Sequence, residues 1–157
     1  MNLGGYKMKR KMMSLMFFVM LTMLTACTNK DVTYHNYTYE GENEKWTADF
    51  KVNGKTIFTR TNGVLSAKND VSQVLTITYR GDLSELSTVR NLKIIYKTSA
   101  GGASISNNYD EDYSITNKTF TLKSGGKNGA IPNEDETIKV TVDTDGSQQM
   151  LELKKPE

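Results

Sequence analysis

Beyond residue 34, apolar and polar residues alternate with a period of two along much of the chain. In KWTADFKV, Trp46, Ala48, Phe50 and Val52 fall on one side and Lys45, Thr47, Asp49 and Lys51 on the other, the pattern of a strand with one buried face. Asn53-Gly54 follows, a pair suited to two-residue hairpins because both positions accept positive φ. A turn there predicts Phe50 opposite Ile57 and Ala48 opposite Thr59. Asn62-Gly63 predicts another reversal immediately afterwards.

Later segments repeat this grammar. Val74–Arg80 and Leu92–Thr98 contain LTITY and LKIIY, each placing a leucine, an isoleucine and a tyrosine on one face, and the likeness predicts neighbours in one sheet. GDLSELSTVRN between them predicts a single helical turn started by Asp82. Ser104–Asn107 and Thr119–Lys123 read as strands, Tyr109–Tyr113 as a loop and KSGGKNG as a flexible connection. ETIKVTVDTDGSQQMLELK reads as a hairpin with Ile138, Val140 and Val142 inward and its turn at Asp145-Gly146. Roughly seven to nine short strands and no long helical period predict an all-β fold, an antiparallel, immunoglobulin-like β-sandwich, with a small β-barrel as the alternative.

The N-terminus breaks the pattern. A basic segment ends at Lys11, with Met8 an alternative start to Met1, and an uncharged run of 13 residues follows, Met12–Leu24, before small residues lead to Cys27. As a helix the run would cover about 20 Å of a hydrocarbon core roughly 30 Å thick, which suits a signal peptide better than a permanent span. Counting uncharged neighbours through Asn29 keeps an uncleaved anchor as the alternative. The predicted organisation is a signal peptide over 1–26, a tether over 27–36, polar and aperiodic from Thr28 to Thr33, and a sandwich over 37–157.

Leu24-Thr25-Ala26-Cys27 resembles the lipobox of bacterial lipoproteins, in which an aliphatic residue, two small residues and a cysteine close the signal sequence. The resemblance implies that the Cys27 thiol takes a diacylglyceryl group as a thioether, that a dedicated peptidase cuts before it, and that the new amino group can be acylated. It also implies a chain anchored on the extracytoplasmic face of the cell membrane, with membrane lipid as a partner through Cys27. Two acyl chains, at about 0.8 kcal/mol per buried methylene, hold a protein on a bilayer stably where one does not. The competing reading, a cysteine buried as a small hydrophobe, finds no strand or helix pattern just after Cys27 to bury it.

Composition narrows the function. With 157 residues, 37% of them hydrophobic, the chain can bury one core without disulfides or a structural metal. Four of its 20 basic residues, Lys7, Lys9, Arg10 and Lys11, precede Cys27, where there is no acid; 16 remain against 18 acidic residues, so the part after Ala26 carries −2 and a nucleic-acid partner is not expected. Cys27 is the one cysteine, and capped as a thioether it leaves no thiol for catalysis, a disulfide or zinc. The one histidine, His35, lacks visible triad or metal partners and reads as a solvent-exposed strand-edge residue.

Three features could carry chemistry. Asp143-Thr144-Asp145-Gly146 begins like a calcium loop, but the twelfth position of that frame is Lys154, so it reads as a turn, and no metal or other cofactor is expected. Tyr109, Asp110, Glu111, Asp112 and Tyr113 form a candidate ligand-binding loop, able to meet a cation or sugar through carboxylates and aromatic stacking, against a solvated loop as the plainer reading. Tyr37, Tyr39, Gly41 and Trp46 read as a core patch, with the glycine opposite a ring such as Trp46; exposed, they would make a stacking platform for carbohydrate.

The stretch YTYEGENEKWTADFKVNG is similar to a motif of small, uncharacterised lipoproteins of Gram-positive bacteria, through Gly41, Glu42, Glu44 and Trp46, with Asn43 where Ser or Thr is common. That family implies location and fold, and no substrate. The expectation is a non-enzymatic binding or assembly module using loops such as Tyr109–Tyr113 and Ser124–Gly129 to hold a surface protein or wall polymer, with a carboxylate-based hydrolase of wall glycan as the alternative.

Overall fold

The structure is a computed structural model, and it describes residues 29–156. Alternation translates into eight strands: β1 (Asn29–Glu42), β2 (Trp46–Thr61), β3 (Val64–Tyr79), β4 (Asn91–Thr98), β5 (Gly101–Asn108), β6 (Thr119–Lys127), β7 (Ile138–Thr144) and β8 (Ser147–Leu153). They form two four-stranded antiparallel sheets, ordered β1-β2-β3-β6 and β5-β4-β7-β8. The sheets are not closed into a barrel, so the sandwich prediction holds and the barrel alternative does not. In the immunoglobulin constant arrangement the first, second, fifth and fourth strands share a sheet. Here the first three run as a meander, so the likeness is one of architecture. The expected signal peptide, 1–26, and the lipobox-like Leu24–Cys27 lie outside the described residues.

One short helix, α1 (Leu83–Leu86), is present, started by Asp82 as its sequence predicts. Glu85 N–H donates to the Asp82 carbonyl at 3.0 Å, and Asp82 N–H donates to Glu85 Oε1 at 3.2 Å. Among the described residues no helix is long and apolar enough to cross a membrane.

The core lies between the inner faces. Trp46, Ala48, Phe50 and Val52 of β2 are buried, as are Leu75, Ile77 and Tyr79 of β3 and Leu92, Ile94 and Tyr96 of β4. LTITY and LKIIY are therefore not neighbours in one sheet, because β3 and β4 belong to different sheets. Both strands turn one face inward from opposite sides, which imposes the same pattern without any pairing. The terminal hairpin behaves as its sequence predicts: Ile138, Val140 and Val142 are buried, and Asp145 and Gly146 turn the chain with φ of 51° and 87°.

Three boundaries differ from the sequence reading. Asn53-Gly54 does not turn: β2 runs through it, and neither residue has positive φ. The inward face continues without interruption from Val52 through Gly54 to the buried Thr56, and a reversal would have turned Thr56 outward. The reversal comes at Asn62-Gly63, with φ of 51° and 80°. Ser124–Lys127, predicted as flexible connection, belongs to β6, where Gly125 faces Ser72 of β3. A Cβ on Gly125 would overlap the Val71 carbonyl, so glycine there permits close strand pairing rather than looseness. Finally, β1 begins at Asn29, inside the stretch predicted as tether.

The chain divides into two compact units. The larger comprises Asp31–Phe58 and the residues from Ala67 onward, and holds the whole core. The smaller comprises the hairpin end Thr59–Ser66 with, among the described residues, Asn29 and Lys30.

Candidate functional site

The motif Gly41-Glu42-Asn43-Glu44-Lys45-Trp46 forms the β1–β2 connection, and most of its members have structural roles. A Cβ on Gly41 would overlap the Glu152 carbonyl and lie 2.8 Å from Leu153 Cδ2, so this glycine opposes the β8 backbone and not a Trp46 ring. Asn43 closes the turn, its Oδ1 accepting from Lys45 N–H at 2.9 Å and Trp46 N–H at 2.8 Å while its Nδ2 donates to the Met150 carbonyl at 3.2 Å. Glu42 pairs with Arg80 at 3.3 Å. Trp46, 1% exposed, packs its ring 4.9 Å from Tyr79 and 6.2 Å from Phe120. Tyr39 is fully buried and donates its hydroxyl to the Asn133 carbonyl at 2.7 Å. Tyr39 and Trp46 are core and Tyr37 is half-buried against it, so no carbohydrate platform is built from the group.

Alternation aims the opposite residues of the same strands outward. Glu40, Glu42, Thr47, Asp49, Thr76 and Thr78, with Gly41 and Ala48, line an open groove of about 440 Å³ across β1, β2 and β3. Glu42 is held by Arg80 and Asp49 by Lys51, at 3.3 and 3.7 Å. The Thr78 and Thr119 hydroxyls meet at 3.0 Å across β3 and β6, extending the polar surface. The groove thus offers hydroxyls and carboxylates on a strand lattice, two of the carboxylates paired with Arg80 and Lys51. Sequence reading missed it, although the outward half of each alternation already carried the signal.

The loop Tyr109–Tyr113 is a loop, as expected, and it is ordered by its neighbours. The two tyrosine rings stack with centroids 5.2 Å apart and planes 5° apart. Tyr109 N–H donates to the Arg90 carbonyl at 2.7 Å, and Arg90 Nη1 donates to the Tyr113 carbonyl at 3.3 Å. Asp110, Glu111 and Asp112 are exposed, and so is Tyr113. Each ring spends one face on the other, leaving the exposed ring of Tyr113 as the aromatic surface a ligand could meet. Among the described residues no group of three His, Cys, Asp or Glu is placed to hold a metal ion.

His35 differs from the expected solvent-exposed residue. It lies on edge strand β1 but is half-buried, with Nδ1 2.8 Å from the Tyr37 hydroxyl and Nε2 2.9 Å from Thr56 Oγ1. Thr56 donates onward to Asn69 Oδ1 at 3.0 Å, so Nε2 is the donor to Thr56 and Nδ1 accepts from Tyr37 in the neutral ring. This chain of bonds stitches β1, β2 and β3 together where Thr56 is buried.

Asp143 and Asp145 confirm the turn reading of DTDG. Asp143 Oδ1 accepts from Gly146 N–H at 2.8 Å, and Asp145 Oδ1 accepts from the backbone N–H of Asn91 at 2.7 Å. Backbone donors of Asn91 and Arg90 hold the Asp145 carboxyl below its ordinary range. Tyr79 donates to Glu85 Oε2 at 2.6 Å; this bond, reinforced by burial, pushes the phenol up to about 12. Burial, then Glu136, raises Tyr39 to about 12.

No protein-family model, no curated protein and no solved structure matches the chain.

Proposed function

We propose that the chain is a lipid-anchored protein of the extracytoplasmic face of the cell membrane, held by an acylated Cys27, whose sandwich is a non-enzymatic binding or assembly module for a wall polymer or a surface protein. The observation that carries the binding half is the open groove in which Thr47, Thr76 and Thr78 lie among Glu40, Glu42 and Asp49. Hydroxyls and carboxylates spaced by strand geometry suit a hydroxyl-rich chain laid across the sheet, bound by many modest contacts. The Tyr109–Tyr113 loop offers a second contact through its acids and the exposed Tyr113 ring. The anchoring half is supported by the three-part N-terminus ending in Leu24-Thr25-Ala26-Cys27.

A second reading, a carboxylate-based glycan hydrolase, is favoured by the same groove, because three carboxylates line it and paired acids need neither His nor Cys. One experiment separates the two. Wall polymers are incubated with the protein and with variants Glu40→Gln and Thr76→Val/Thr78→Val, and both retention and polymer length are measured. Retention that falls several-fold in the variants, with polymer length unchanged throughout, supports binding. Shortening that disappears in Glu40→Gln makes the protein a hydrolase. Unchanged retention in all variants removes the groove from consideration. For the anchor, Cys27→Ser should abolish palmitate labelling and release the protein or leave its precursor unprocessed; unaltered labelling and fractionation would end that half.

A further inference from the structure

The hairpin end Thr59–Ser66 exposes adjacent apolar residues: Val64 is 69% and Leu65 58% accessible. Successive strand residues point to opposite faces, so both faces of this end are open. The turn itself is closed, with Asn62 and Gly63 at φ of 51° and 80° and the Ser66 hydroxyl donating to the Thr59 carbonyl at 3.3 Å. The exposed cations Arg60 and Lys30 belong to the same unit, and its described residues include no carboxylate. In the sequence the next charge after Arg60 is again basic, Lys68.

The chain outside the described residues supplies the second observation. Asn29 and Lys30, which begin β1, share this unit, and Cys27 lies two residues before Asn29. Two residues of extended chain reach about 7 Å. An acyl group on Cys27 would therefore enter the bilayer within a few ångströms of the strand that starts in this unit. Resting on the reading of Cys27 as an anchor, we propose that the hairpin end is a second membrane contact, inserting Val64 and Leu65 into the interface of an anionic bilayer while Arg60 and Lys30 meet lipid phosphates.

Apolar side chains flanked by cations fit such a surface, since burial of the first and attraction of the second act together. A closed turn also lowers the cost, because its paired backbone groups lose less hydration on entering the interface. The contact gives this unit two points on the bilayer, the acyl group and the hairpin end.

The test introduces Leu65→Trp into the full chain, expressed with labelled palmitate and reconstituted in vesicles containing phosphatidylglycerol. The parent protein, whose single tryptophan Trp46 is core, gives the background. The introduced indole should emit further to the blue in vesicles than in detergent-free solution, and brominated acyl chains should quench most of the added emission. Adding Arg60→Gln and Lys30→Gln, or replacing phosphatidylglycerol with phosphatidylcholine, should weaken that quenching. Added emission that stays water-like and unquenched overturns the proposal, and is also what docking on a protein partner would give. Thermal melting checks that the variant folds. Palmitate labelling of Cys27 is read on the same sample: labelled Cys27 with an unquenched indole refutes the hairpin contact alone, whereas a quenched indole without label refutes the anchor alone.

Discussion

Truncating Trp46 to alanine tests the assignment of the aromatic motif to the core. The ring is 1% exposed and packs against Tyr79 and Phe120 at centroid distances of 4.9 and 6.2 Å. A tryptophan removes about 150–250 Å² from water, and at about 25 cal/mol per Å² the transfer alone is worth about 4–6 kcal/mol, an upper figure because the unfolded chain is not fully extended. Partial collapse of the site brings the expected loss to about 3–5 kcal/mol. For a domain of this size that lowers Tm on the order of 12 °C. Far-UV circular dichroism in a urea titration is the suitable assay, because the substitution removes the only tryptophan. The midpoint should fall with an unchanged m-value, and Trp46→Phe, which keeps a ring against Tyr79, should lose less than half as much. An alanine variant unfolding at the parental midpoint would refute the packing argument, and one that melts normally yet loses glycan binding would restore the stacking platform.

Gly41→Ala should destabilise by about 1–3 kcal/mol, because its methyl group meets the Glu152 carbonyl and Leu153 Cδ2; an unshifted thermal midpoint would contradict that close approach. Glu85 and Asp145 have lowered folded pKa values, caused first by the Tyr79 hydroxyl and the Asn91 backbone N–H respectively. Their stabilisation is complete above the ordinary values of 4.5 and 3.8 and is lost as pH falls through the lowered folded values, so Asp145→Asn should flatten the acid limb of the urea midpoint against pH. Tyr39 and Tyr79 are raised from 10.0 to about 12, so their stabilisation is complete below pH 10 and lost as pH rises towards 12. Phenolate absorbance should show Tyr39 and Tyr79 ionising near pH 12 with alkaline unfolding; ionisation of every tyrosine near pH 10 in the folded protein would contradict it.

Alternation made the inner faces legible, since burial on one side forces a period of two whatever the strand order. It says nothing about which strand lies beside which, and LTITY and LKIIY look like neighbours only because opposed sheets demand the same inward residues. Asn53-Gly54 misled for a related reason: turn propensity is local, and the continuous inward face from Trp46 to Thr56 outweighs it. Gly125 carried the opposite error, because a glycine that admits a neighbouring carbonyl is indistinguishable in sequence from one that loosens a loop. Of the candidate sites, Tyr109–Tyr113 was legible as an acidic, aromatic loop, but the mutual stacking of its rings was not. The polar groove was hidden in the residues that alternation assigns to solvent, where Thr47, Thr76 and Thr78 sit far apart along two consecutive strands and meet only once the hairpin pairs. The link of His35 to Thr56 likewise depends on pairing across strands.

One bridge ties the first strand to the end of the last: Glu40 and Lys154 exchange two backbone bonds, Glu40 N–H to the Lys154 carbonyl at 2.8 Å and the return at 3.0 Å. Most of the described chain lies between these partners, so this seam pays loop-closure entropy that the neighbouring hairpins avoid. The meander β1-β2-β3 can assemble while synthesis continues, but the lacing at Glu40 must wait for residue 154 to emerge. A chain ending short of Lys154 would lack this bridge and leave Glu40 as one more unpaired position on the β1 edge, open to pairing with another strand.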